Sequence, residues 1–167
     1  PLDLTGRDPL AVVARGKHIL HRVDGGWTIH SHLRMEGSWR VLAARDATPR
    51  RLADPAIRSV VGDLDWTCLG IRLGMLDAVP TATEERLVGH LGPDVLGRDW
   101  DAAAALANVR ADPTRPLGEA LLDQRNLAGM GTMYAAESLF LQRLHPWTAV
   151  GDLPAARIAV ARIVGRD

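Results

Sequence analysis

The sequence predicts an α+β fold in two parts, and three observations carry that reading. Up to about residue 80, short apolar runs are separated by Gly-bearing turns, the pattern of antiparallel strands. After Pro80 the apolar spacing becomes helical, in Ala- and Leu-rich stretches. No internal repeat or low-complexity tract interrupts either half, so a mostly β subdomain followed by a mostly α one is expected, with the boundary near Val79–Thr83.

The elements follow in order. Leu10–Ala14 and Lys17–Val23 are short apolar runs. Asp24-Gly25-Gly26 then supplies turn chemistry before Trp27–Leu33, where Trp27, Ile29 and Leu33 alternate with Thr28, His30 and His32, so a hairpin is expected there. Ser38–Leu42 and Thr67–Leu73 read as further strands, and Arg45–Arg58, rich in Arg, Asp and Pro, as a loop. Thr83–Leu91 reads as a helix with Leu87, Val88 and Leu91 on one side, broken by Gly92-Pro93-Asp94. Asp101–Val109, Leu117–Leu127 and Thr132–Leu144 read as helices, and Ala155–Asp167 has a helical pattern as well.

Composition narrows the function classes. The 167 residues suffice for one ordinary domain or two small ones, and 47% hydrophobic with 24% charged residues is ordinary for a globular protein and excludes disorder. No run approaches the ~18 apolar residues of a membrane span, and no signal-peptide pattern opens the chain. Cys68 is the single cysteine, so neither an intramolecular disulfide nor a multi-thiolate zinc site can form, and a reducing cytoplasmic setting is expected. The zero net charge taken alone argues against a nucleic-acid binder, but residues 1–62 hold ten basic and six acidic side chains, and residues 63–167 ten and fourteen. The basic set is 19 Arg and one Lys, Lys17. Arg and Lys differ in geometry and hydration, so a lone Lys in so Arg-biased a chain hints at a specific role.

Several segments carry candidate chemistry. In Asp123–Tyr134 a helix is expected to end near Asn126, with Gly129 and Gly131 making a tight turn and Thr132 capping the next helix. Such a turn brings backbone N–H groups and a helix N-terminus together, which suits a phosphate, although on this pattern alone an ordinary helix–turn–helix connection is the better reading. Lys17 lies at a turn entering a strand, where a solvated Lys is ordinary. His30 and His32 should share one sheet face. No Cys or third His stands nearby, so a paired or exposed His is expected rather than a metal site. Met35 sits in Arg34-Met35-Glu36-Gly37, either exposed on a turn or folded back on the core. Glu84 and Glu85 are adjacent, face different sides of their helix and do not make a catalytic pair.

Taken together the segments resemble one family. Arg15-Gly16-Lys17-His18-Ile19-Leu20, His32-Leu33-Arg34-Met35-Glu36-Gly37-Ser38-Trp39, Leu91-Gly92-Pro93-Asp94, Leu121-Leu122-Asp123-Gln124, Leu127-Ala128-Gly129-Met130-Gly131, Tyr134-Ala135-Ala136-Glu137 and His145-Pro146-Trp147 stand in order over residues 4–150. They are similar to motifs of the formamidopyrimidine-DNA glycosylase/endonuclease VIII family. The resemblance implies part of an N-terminal β-sandwich in residues 1–80 and a helix–two-turn–helix DNA-binding subdomain in residues 81–167. It also implies base-excision repair: removal of oxidised bases, and nicking of the abasic site through a Schiff base on an N-terminal proline followed by β/δ-elimination.

Residue by residue, the resemblance implies that Lys17 supports catalysis by contacting backbone phosphate, and that His32 touches phosphate too. Met35 would enter the gap left by a flipped nucleotide, and Gly129, Gly131 and Thr132 would hold phosphate through backbone N–H groups. The family has Glu after its catalytic proline, whereas Leu2 follows Pro1 here. No catalytic residue is therefore expected in this chain, which reads as a piece lacking the family's opening helix and its C-terminal finger, zinc-bearing or zincless. No cofactor or metal is expected within the chain itself. Thr132 replaces the family's usual Asn after the second turn glycine, and Thr67–Leu76 lacks the Arg/Phe signature of the 8-oxoguanine branch. An endonuclease VIII-like member favouring oxidised pyrimidines is thus expected. The alternatives are an 8-oxoguanine- or formamidopyrimidine-specific member, or a DNA-binding scaffold without catalysis. The implied partner is damaged double-stranded DNA, met by a monomer with no membrane association in a bacterial, nucleoid-associated cytoplasmic setting.

Overall fold

The computed structural model describes residues 3–98, 100–155, 157 and 158. Pro1, Leu2 and most of the helical pattern expected over Ala155–Asp167 lie outside the described residues. The chain forms two compact units, residues 1–84 and 85–167.

The first unit is built from seven strands in two antiparallel sheets. β1 (Pro9–Arg15), β2 (His18–Val23), β3 (Trp27–His32) and β7 (Met75–Pro80) lie side by side in that order. The second sheet has the order β4 (Ser38–Ala43), β6 (Trp66–Ile71), β5 (Ile57–Gly62). Local turn chemistry sets the first hairpins. Gly16 has φ +57° in the two-residue connection that closes β1 on β2 with Arg15 opposite His18. Gly25 and Gly26, at φ +71° and +76°, close β2 on β3 with Val23 opposite Trp27. Both positions are left-handed, where a Cβ is penalised. Leu20, Val23, Leu69 and Leu73 are buried, and His21 of one sheet meets Trp39 of the other edge-on, ring centres 5.4 Å apart.

Two strands depart from the sequence reading. The expected loop Arg45–Arg58 contains a single helical turn, α1 (Pro49–Leu52), capped by the Thr48 hydroxyl, and the start of β5. β7 was hidden by its closing Pro, which an edge strand tolerates. Both exist because the long-range pairings Ser59↔Gly70 and His32↔Met75 satisfy their backbones. The chain thus leaves the first sheet after β3, builds the second, and returns as β7. The segment Leu33–Gly37 is the outward crossing, which is why it protrudes.

The second unit packs α2 (Glu85–Val88), α3 (Ala102–Arg110), α4 (Leu117–Leu122) and α5 (Thr132–Leu141) with connecting loops. Its core joins Ala105, Val109, Leu117, Ala120, Leu121, Leu127, Met130, Ala135, Leu139, Leu144, Val150 and Ile158. The Asp101 side chain caps α3 by accepting the Ala104 N–H at 2.9 Å. The helices are shorter than the periodicity predicts. Thr83–Leu91 reduces to a 3-10 turn (Thr81–Thr83) and one turn of α2, with Val88 and Leu91 buried. Leu117–Leu127 stops at Leu122, because Asp123 takes extended backbone and its carboxylate accepts the Arg125 N–H at 3.0 Å, turning the chain. No described helix is long and apolar enough to cross a membrane.

Candidate nucleic-acid interface

In the first unit the candidate residues gather at one end of the β1–β3 meander. Lys17 is exposed in the β1–β2 turn, and partial burial lowers its ammonium from the ordinary 10.5. On the adjoining β3, His32 accepts the Arg34 backbone N–H on Nδ1 at 2.9 Å, so the neutral ring carries its proton on Nε2 and can donate it. Burial lowers the His32 pKa below its ordinary 6.5, and the nearby charges of Lys17 and Arg34 lower it further. His32 is therefore a neutral hydrogen-bond donor at physiological pH.

The same Arg34 N–H contact shapes the crossing beyond it. Arg34 is left-handed at φ +53°, and the Gly37 N–H closes the loop on the Leu33 carbonyl at 3.0 Å. A Cβ at Gly37 would collide with that carbonyl, so only glycine fits. The result is a braced tip whose summit, Met35, is 96% exposed. Its unbranched apolar side chain stands in solvent on a hydrogen-bonded backbone and makes no core contact.

A third histidine joins the pair. His18 lies opposite His32 across β2–β3, with ring centres 4.8 Å apart, and its Nδ1 is 2.7 Å from Nε2 of the fully buried His30. The expectation that no third His stands near His30 and His32 is thus corrected: strand register supplies what linear spacing concealed. Among the described residues, no three His, Cys, Asp or Glu side chains are arranged to hold a metal ion. Sequence reasoning placed Glu84 on a helix beside Glu85 and missed its role: it ends the 3-10 turn before α2 and receives Arg22 bidentately and the Thr28 hydroxyl at 2.8 Å. Its partners lie 62 and 56 positions away, beyond any local pattern.

In the second unit, the loop between α4 and α5 is organised by side-chain amides. Gln124 accepts the Gly129 N–H on Oε1 at 3.0 Å and donates from Nε2 to the carbonyls of Met130 and Leu122, both at 2.9 Å. Asn126 donates to the Ala120 carbonyl at 2.8 Å. Leu127, Ala128 and Met130 are buried, and Ala128 donates to the Pro93 carbonyl while accepting from Val95. Asp123 binds Arg125 at 2.7 Å and Arg115 at 2.8 Å, and these guanidiniums, Arg125 foremost, hold its carboxyl well below the ordinary 3.8 against the opposing effect of burial.

Two sequence expectations change here. Gly129, at φ +95°, needs to be glycine, but its N–H is occupied by Gln124. Gly131 is the N-cap of α5 in ordinary extended backbone, and Thr132 is the first helical residue, with no side-chain cap bond. The N–H groups of this loop without an acceptor inside the helix are those of the first turn of α5.

Comparisons with known proteins cover both units. The family described as formamidopyrimidine-DNA glycosylase N-terminal domain matches residues 2–75, and the formamidopyrimidine-DNA glycosylase H2TH domain matches residues 91–163. A probable endonuclease 8 2 of Streptomyces coelicolor is 58% identical over 160 residues, covering 95% of this chain and 57% of that protein. A DNA-(apurinic or apyrimidinic site) lyase of Mycolicibacterium smegmatis is 43% identical, covering 91% of this chain and 58% of that protein. Formamidopyrimidine-DNA glycosylase of Lactococcus lactis, solved non-covalently bound to DNA containing an AP site, has the same fold, with a TM-score of 0.80, 24% identity, and coverage of 98% of this chain and 63% of that one. The chain thus spans somewhat over half the length of these relatives. Two consecutive domain matches in the family's order, over the same strands and loops that carry the candidate residues, place the chain in the formamidopyrimidine-DNA glycosylase/endonuclease VIII family.

Proposed function

We propose that the protein acts in base-excision repair of damaged double-stranded DNA, as an endonuclease VIII-type glycosylase and abasic-site lyase favouring oxidised pyrimidines. It works as a monomer in the bacterial cytoplasm. The residues of this chain grip and distort DNA rather than perform the covalent step. Lys17 gives a compact positive charge to a backbone phosphate, and the His32 Nε2–H gives a neutral hydrogen bond to the same strand. Gly131, Thr132 and the first turn of α5 offer N–H groups to a second phosphate, and Gly129 shapes the loop that presents them. Met35 slides into the stack where a nucleotide has been turned out, replacing part of the lost stacking.

The observation that carries this reading is Met35, 96% exposed on a tip whose backbone is fixed by Arg34–His32 and Gly37–Leu33 hydrogen bonds. The names of the relatives support the same activity, since a lyase acting at apurinic or apyrimidinic sites must hold DNA at a lesion. The grip is tested by Lys17→Ala in the full-length gene product, titrated against duplex containing an abasic-site analogue at several salt concentrations. Loss of one phosphate contact should weaken binding and make the slope of log K against log salt shallower by about 0.9. An unchanged slope returns Lys17 to the solvated side chains.

A further inference from the structure

One cluster of titratable groups remains outside this scheme. Strand register places His18 opposite His32, Leu20 opposite His30, and His30 opposite Asp77, so His18, His30, His32 and Asp77 project from one face of the first sheet. His30 has no exposed surface, and Asp77 is about half exposed at the sheet's edge. Nδ1 of His30 is 3.1 Å from Asp77 Oδ2, and Nε2 of His30 is 2.7 Å from His18 Nδ1. His18 in turn meets His32 edge-on.

With neutral rings, the proton order along this row follows from its Asp77 end. A carboxylate only accepts, so His30 carries its proton on Nδ1. Neutral His30 then offers a lone pair on Nε2, and the 2.7 Å contact requires the proton on His18 Nδ1. Every bond in the row therefore points toward Asp77. The outcome is a single tautomer and ring orientation for His18, which follows Lys17 in the chain and packs against His32. The hydrogen bond on one ring nitrogen sets what the other can do.

We propose that His30 and Asp77 are positioning residues of the DNA grip: they lock His18 as the Nδ1–H tautomer, and the locked ring holds Lys17 and His32 in their phosphate-contacting places. This rests on the reading of Lys17 and His32 as phosphate contacts. Neither residue touches DNA itself. Asp77→Asn is nearly isosteric at a half-exposed position, so folding is retained, yet the amide can present its NH2 to His30 and reverse the proton order along the row.

The test uses the full-length gene product labelled with 15N-histidine. Long-range 1H–15N spectra report which ring nitrogen of His18 is protonated, and the same preparations are titrated with abasic-analogue duplex across salt. In the wild type His18 should be protonated at Nδ1. In Asp77→Asn the Nε2–H form should appear, and affinity should fall about three- to tenfold, the worth of one hydrogen bond, with the salt slope kept because Lys17 remains charged. Asp77→Glu, which restores an accepting carboxylate, should recover most of both. An affinity loss with an unchanged His18 tautomer would mean a merely structural role and overturn the proposal. So would a shifted tautomer with wild-type affinity, which leaves the phosphate contacts standing. An unchanged salt slope in Lys17→Ala would instead remove the contact reading, and this proposal with it.

Discussion

Replacing Gln124 by Ala removes the strut of the α4–α5 loop, and the cost can be worked from its three hydrogen bonds. The Leu122 carbonyl belongs to an exposed residue, so water replaces the lost amide there at little cost. Met130 is 3% exposed and Gly129 is partly covered, so the Met130 carbonyl and the Gly129 N–H lose partners that water replaces poorly. At about 1–2 kcal/mol for each of the two groups, the lower part of the range for an unsatisfied buried group because Gly129 is only partly covered, Gln124→Ala should destabilise by about 2–4 kcal/mol. For a protein of this size or somewhat larger, that lowers the melting temperature by roughly 5–15 °C. Gln124→Glu keeps an acceptor for Gly129 but sets a carboxylate against the Met130 carbonyl, so it should be destabilised as well. Thermal and urea unfolding of the three proteins measures this. A loss below about 0.5 kcal/mol in Gln124→Ala, the scale of an ordinary surface change, would refute the strut.

Other expectations follow from the same geometry. Gly129→Ala, forced to φ +95°, should cost about 1–2 kcal/mol, whereas Gly131→Ala, in extended backbone, should cost less than half of that; urea midpoints compare them. Asp123 has a folded pKa depressed below 3.8, so its stabilising contribution is present above that value and is lost as pH falls through the lower folded value. Asp123→Asn should therefore be less stable than wild type at pH 7, with the gap closing below about pH 4 in pH-dependent unfolding.

Much of this was legible locally. Asp24-Gly25-Gly26 announced the β2–β3 hairpin because its left-handed residues are set by their own chemistry, and the Ala-rich run Asp101–Val109 announced α3 through its helical spacing. The Met35 tip could be read as a turn, with its side chain either exposed or folded back on the core. What escaped depends on partners far apart in sequence. β5 and β7 are strands through pairing with β6 and β3, and the His18–His30–Asp77 row exists only once three strands are in register. Gln124 stood in a recognised motif, but its reach to Gly129 and Met130 required the folded loop.

The proposed entry of Met35 into the DNA stack is tested by one preparation of Met35→Ala in the full-length gene product. Three quantities are measured: melting temperature, excision of an oxidised pyrimidine from duplex DNA, and cleavage at a preformed abasic site. A side chain 96% exposed contributes almost no burial energy, so the melting temperature should move by no more than about 1–2 °C. Excision must offset the few kcal/mol of unstacking and should fall by tenfold or more, since about 1.4 kcal/mol is a factor of ten. Cleavage at the abasic site, where no base is extracted, should fall much less. A drop in stability of about 2–5 kcal/mol would place Met35 in the core, and equal losses in the two activities would contradict its role as a wedge.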